Sequence, residues 1–171
     1  MNVGRRSKVK LPLSWKDKAL IILATLPIIF IIVYLKIVWR DIPEIVPTHF
    51  GFSGAPDAFG SKTYLFRIIG FSTGMHLLMF VLTKMPMCYN ISVSVKEKNS
   101  EALYKVVRQL ILLIDLEMSF MINILTWESI QAALGKMQGV SGGMLIAIVG
   151  ITFATVIYGI ISMIRVQGQS R

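Results

Sequence analysis

Cysteine is nearly absent from this chain. Its 171 residues hold one, Cys88, and a single thiol cannot close an internal disulfide, which argues against a disulfide-stapled secreted domain. Histidine is scarce too, with only His49 and His76. There is no H-E-x-x-H pair, no glycine-rich phosphate loop and no nucleophile elbow, so a hydrolase or nucleotide enzyme lacks its motif. Acids are few: nine Asp and Glu stand against 18 Lys and Arg, a net charge of +9.

What is abundant is grease. Hydrophobic residues make up 54% of the chain and mean hydropathy is +0.67. That is too apolar for a soluble domain of this length, and runs of 18 or more apolar residues mark membrane spans. In such a chain, basic residues set topology and meet anionic lipid. Membrane lipid is therefore an expected partner and nucleic acid is not.

Four spans are expected, at about 19–38, 64–82, 106–127 and 144–164. Residues 1–18 form a basic start, with Arg5, Arg6, Lys8, Lys10, Lys16 and Lys18 against Asp17. The first run is long for a signal peptide and no A-x-A-like cleavage site follows, so it reads as an uncleaved span. Pro27 is a candidate kink, which membrane helices tolerate. Gly70, Ser72, Thr73 and Gly74 predict close packing of the second span, and Gly150/Ala154 and Thr155/Gly159 do so for the fourth. Residues 165–171 are a polar tail. Trp15, Trp39 and Trp127 fall at span ends, as interfacial anchors do. Cys88, near an expected interface, is chemically open to palmitoylation.

Basic residues concentrate in the N-terminus, in the Lys84–Arg108 connection and in the tail. The positive-inside rule then puts both termini in the cytoplasm and turns residues 43–62 outward. That stretch, PEIVPTHFGFSGAPDAFGSK, holds Pro43, Pro47 and Pro56 and Gly51, Gly54 and Gly60. Proline fixes φ and glycine permits positive φ, so it reads as an ordered, turn-rich loop rather than a strand or helix.

Three readings of His49 and Asp57 are open. Asp57 caps the turn after Pro56 while His49 packs on Phe50 or Phe59; or the two contact a ligand; or they bind a metal or move protons. Two ligands eight residues apart are too few for a metal site, and no metal or other cofactor is expected. A second group lies within the spans. Asp115 and Glu117 sit mid-span, where an acid costs roughly 2.5–3.5 kcal/mol. Asp115 shares a helix face with Arg108, Ser119 and Asn123, whereas Glu117 points elsewhere and needs its own partner. His76 falls at a similar depth. Paired with Asp115 or Glu117, it either relays protons or fixes helix register by a buried hydrogen bond.

The loop motif Pro-Thr-His-Phe, then Gly-x-Pro-Asp-x-Phe-Gly-Ser-Lys, resembles the bacterial membrane domain of unknown function found at the N-terminus of SdpI-like immunity proteins. The matching residues are Pro47, His49, Phe50, Gly54, Pro56, Asp57, Gly60, Ser61 and Lys62. Gly51 stands where that family commonly has Asn and Phe59 where it often has Trp. The longer C-terminal half of SdpI-type proteins has no counterpart here. The resemblance implies a role in immunity to a peptide toxin, with the outer loop as receptor surface. His49, Asp57 and Lys62 would make its polar contacts, and Phe50 and Phe59 its apolar ones.

The expectation is an all-α integral membrane protein of the cell membrane, with four transmembrane helices and an ordered extracellular loop. Its role is immunity or accessory recognition of a peptide toxin or envelope ligand rather than catalysis. The alternative is a proton- or cation-coupled transporter component using His76, Asp115, Glu117 and Asn123. A homo-oligomer or a partner membrane subunit fits either.

Overall fold

The computed structural model describes residues 11–86, 89 and 97–168. The basic residues up to Lys10, Cys88 and residues 169–171 lie outside them. The chain runs α1 (Trp15–Val38), β1 (Ile45–Phe50), β2 (Pro56–Ser61), α2 (Tyr64–Lys84), α3 (Glu97–Ala133) and α4 (Gly142–Gly168). It is mostly helical, and all four helices are long and apolar enough to cross a membrane. The protein is thus of the multi-pass membrane type.

Local chemistry sets the helix starts. Ser14 caps α1: its hydroxyl accepts from the Asp17 N–H, and the Asp17 carboxylate accepts from the Ser14 N–H. This reciprocal box satisfies two donors that a helix start leaves free. At α4, the buried Glu128 carboxylate accepts from the Ser141 N–H at 3.1 Å, placing negative charge at the helix's positive end.

α3 is the hub. It packs on α1, α2 and α4, whereas α1 and α2 touch less and α4 rests almost wholly on α3. Arg108, Asp115, Ser119, Asn123 and Thr126 are all buried along it. Their steps of seven, four, four and three are those of one helix face. Leu112 and Ile130, fully buried, fill the same face. An apolar core of Ile31, Leu35, Ile42, Val46, Leu65, Ile69 and Ile130 joins α1, α2, α3 and β1 at one end.

One expectation is corrected here. The stretch from Pro43 to Lys62 is not a strandless loop: β1 and β2 form an antiparallel hairpin, with Ile45 opposite Ser61 and Pro47 opposite Phe59. Prolines are admissible because a two-stranded ribbon has two free edges, where a missing N–H breaks no ladder bond. Irregular register around His49 takes up the rest of the mismatch.

Packing corrects a second expectation. A Cβ added at Gly70, Gly74 or Gly150 would meet nothing within 4 Å, so these glycines do not mediate helix contacts among the described residues. Gly159 does: a Cβ there would lie 2.9 Å from the Leu110 side chain of α3.

Candidate functional site: the hairpin face and the polar interior

The hairpin is fixed to the bundle end. Val46 is fully buried in the core. Ser129 of α3 donates to the Pro47 carbonyl at 3.1 Å. The turn is held by the link between α3 and α4, where the Val140 N–H donates to the Gly54 carbonyl at 2.9 Å. Gly54 has φ of +80°, and an added Cβ would collide with the Val140 carbonyl. Only glycine meets both demands, because it lacks a Cβ and tolerates positive φ. Gly139 makes the reciprocal approach to the Gly54 carbonyl.

Lys62 clamps the base. Its ammonium lies 2.9 Å from Glu44, 3.4 Å from the Ile42 carbonyl and 4.7 Å from the Trp39 ring centre. A cation over an indole face is electrostatically favourable. Lys62 is therefore engaged within the hairpin base, with its side chain 14% exposed.

On the exposed face, His49 Nδ1 donates to Asp57 Oδ1 at 2.5 Å, with the side chains 69% and 51% exposed. The two expected candidates are brought together, but not as a turn cap and an aromatic contact. β-sheet pairing sets Ala58 opposite His49 and Pro56 opposite Phe50, so Asp57 is the extra, unpaired residue of a register irregularity, which brings its side chain to His49. Phe59 is exposed, and Phe52 at the turn is fully so. Two hollows flank this face. One, of 350 Å³, lies between β1, α2 and α3; the other, of 630 Å³, lies between the hairpin and the first turns of α4. His49 and Phe50 line both, and Asp57 lines the second.

A separate polar cluster fills the interior. His76 of α2 donates from Nδ1 to Asp115 at 2.9 Å, and its Nε2 lies 3.1 Å from Thr25 of α1. Thr25 Oγ1 is also 2.8 Å from the Ile21 carbonyl, so its proton has an acceptor there and its lone pair can meet a His76 Nε2–H. Ser119 donates to the Ala24 carbonyl at 2.6 Å. Asn123 donates to Ser72 at 2.9 Å and to the Ser119 carbonyl at 2.7 Å. Every helix of the α1–α2–α3 trio is tied to another by such a bond. Such bonds substitute for the hydrophobic drive that is missing between helices in lipid.

Glu117 stands apart, as its phase predicts, and accepts from Thr155 of α4 at 2.5 Å. At the end opposite the hairpin, Arg108 donates to the carbonyls of Leu11 and Pro12 at 2.8 and 3.3 Å and pairs with Asp17 at 3.6 Å. No group of three or more metal-type side chains occurs among the described residues. Sequence reasoning missed Thr25, Glu128 and Asp17 as polar partners and saw Ser72 only as a small packing residue. Asp17 was visible as the fourth residue of a capping box beginning at Ser14; the others carried no local signal.

Comparison with known proteins covers the same ground as the hairpin. A model of DUF1648, a domain of unknown function, matches residues 20–71, which take in most of α1, the hairpin and the start of α2. The chain is 34% identical over 74 residues to an uncharacterized protein of Archaeoglobus fulgidus. That match covers 43% of this chain and 40% of the relative. No solved structure matches the chain.

Proposed function

We propose that this protein is a recognition component of the cell membrane, of the SdpI-like immunity or accessory type, and that its hairpin is the receptor surface. Both termini lie in the cytoplasm and the hairpin faces outward, as the excess of basic residues at the opposite end supports. The supporting observation is one of contrast. The hairpin backbone is pinned to α3 and to the α3–α4 link, yet His49, Asp57, Phe52 and Phe59 are left exposed. A rigid scaffold presenting polar and aromatic side chains reduces the entropy lost on binding. The ligand is a peptide toxin or an envelope component. His49, Asp57 and Lys62 would make its polar contacts, Lys62 from the hairpin base; Phe50 and Phe59 would make the apolar ones.

The test is protection of cells against the peptide toxin encoded nearest the gene, using wild type, His49→Ala and Asp57→Ala matched for membrane level. Protection by wild type that both variants lose supports the reading. Equal protection by all three would overturn it.

The buried His76–Asp115 pair favours a second reading, a proton- or cation-coupled component. The Asp115–His76–Thr25 chain accommodates a proton on each ring nitrogen and sits where a charge is otherwise costly. Glu117, against α4, would be a separate acidic station. If Asp115→Asn and Glu117→Gln leave proton or solute flux unchanged in vesicles, this reading fails.

A further inference from the structure

The two hollows beside the hairpin share His49 and Phe50 in their walls, and the remaining walls belong to different helices. In the first stand Ile68 and Phe71 of α2 with Ile122 and Leu125 of α3. In the second stand Ile146 and Val149 of α4. α2 and α4 each pack on α3 but hardly on one another, so the gap between them opens sideways. These helix residues are apolar and belong to helices long enough to cross a membrane, while Tyr64, Thr126 and Ser129 add polar groups to the first hollow. Phe71 lies seven residues into α2, about 10 Å below its start at 1.5 Å per residue. Polar chemistry is concentrated at the top. Asp57 gives Oδ1 to His49, which leaves Oδ2 as an acceptor, and His49 keeps Nε2.

We propose that these hollows form one crevice that takes the hydrocarbon chain of an amphiphile from the bilayer and holds its hydrogen-bond-donating head, an amine or amide, at Asp57 and His49. Volumes of 350 and 630 Å³ fall in the range of small-molecule sites. The shape selects the occupant. A flexible chain bends round the ridge made by His49 and Phe50, whereas a helix 10–12 Å across does not. The charge selects the head: a free carboxylate oxygen pairs with an N–H donor and repels another carboxylate. This inference rests on the hairpin being a recognition surface and names the chemical class that it recognises.

The experiment uses the full chain in phosphatidylcholine nanodiscs. Two photoactivatable probes of equal length are compared, a C16 amine and a C16 carboxylic acid, each with a mid-chain diazirine. The amine should label Ile68–Phe71 and Ile146–Val149 and be displaced by unlabelled hexadecylamine. The acid should label them at least tenfold less. Asp57→Asn should remove that preference, and Ile146→Trp, at a residue exposed on α4, should block both probes by filling the crevice. Labelling of the outward face of α1 around Ile29 and Val33 to the same extent, without saturation, would mean only annular lipid and would overturn the proposal. Failure here is separable from failure of the recognition reading. Unsaturable labelling together with lost protection in the His49 and Asp57 variants sinks the crevice and leaves the hairpin. Saturable, Asp57-dependent labelling supports the crevice whatever the protection assay shows.

Discussion

α3 and α4 are both long enough to span a bilayer, yet they do opposite things. α3 turns Arg108, Asp115, Ser119, Asn123 and Thr126 inward and touches every other helix. α4 carries Ile146, Phe153, Ile157, Tyr158 and Ile164 outward and is held chiefly by Glu117–Thr155, the Gly159–Leu110 approach and the Glu128 contact at its start. The more apolar helix is the peripheral one. In water the reverse would be expected, since burial of apolar surface drives packing there. In lipid that drive is lost between helices, and polar side chains decide which helix becomes central.

Substitutions that break this contrast should rank accordingly. The largest effect is expected at Arg108. Arg108→Leu leaves Asp17 buried without its cation and frees the Leu11 and Pro12 carbonyls, which should cost about 3–5 kcal/mol. Reversible unfolding in mixed micelles would measure it, and Asp17→Asn in the same chain should recover part of the loss. Gly54→Ala should follow at about 1–3 kcal/mol, because it combines a strained φ with the collision at Val140. Amide exchange should then quicken at Gly51 and Gly54 and hardly at all in α1. Ser119→Ala should cost about 0.6 kcal/mol and at most about 1.7 kcal/mol, the average and upper end for interhelical hydrogen bonds in membranes. Ile157→Ala on α4 should change stability by less than about 0.5 kcal/mol. A cost at Ile157 as large as that at Ser119 would show that α4 is not peripheral.

The sequence made the helices legible because membrane spans announce themselves by length and apolarity. The inward stripe was also legible, since Arg108, Asp115, Ser119 and Asn123 keep helical phase and acids in a span demand partners. Their partners were only half legible. His76 stood out as a rare titratable residue at matching depth, but Thr25 and Ser72 are ordinary small residues whose role depends on three-dimensional proximity. The hairpin was misread for a definite reason. Proline and glycine density signals turns, and that signal masks a short ribbon whose free edges tolerate prolines. Pinning of its turn by Val140, 86 positions later, is a long-range contact with no local signature.

Recognition by the hairpin requires that it face outward, so its sidedness is the measurement to make. In a Cys88→Ser background, single cysteines replace Asp57 in β2 and Ser100 near the start of α3. Intact cells are treated with a membrane-impermeant maleimide. The cysteine at 57 should react at once and the one at 100 only after permeabilisation. The opposite pattern would turn the hairpin to the cytoplasm and contradict its role as a receptor for an external ligand.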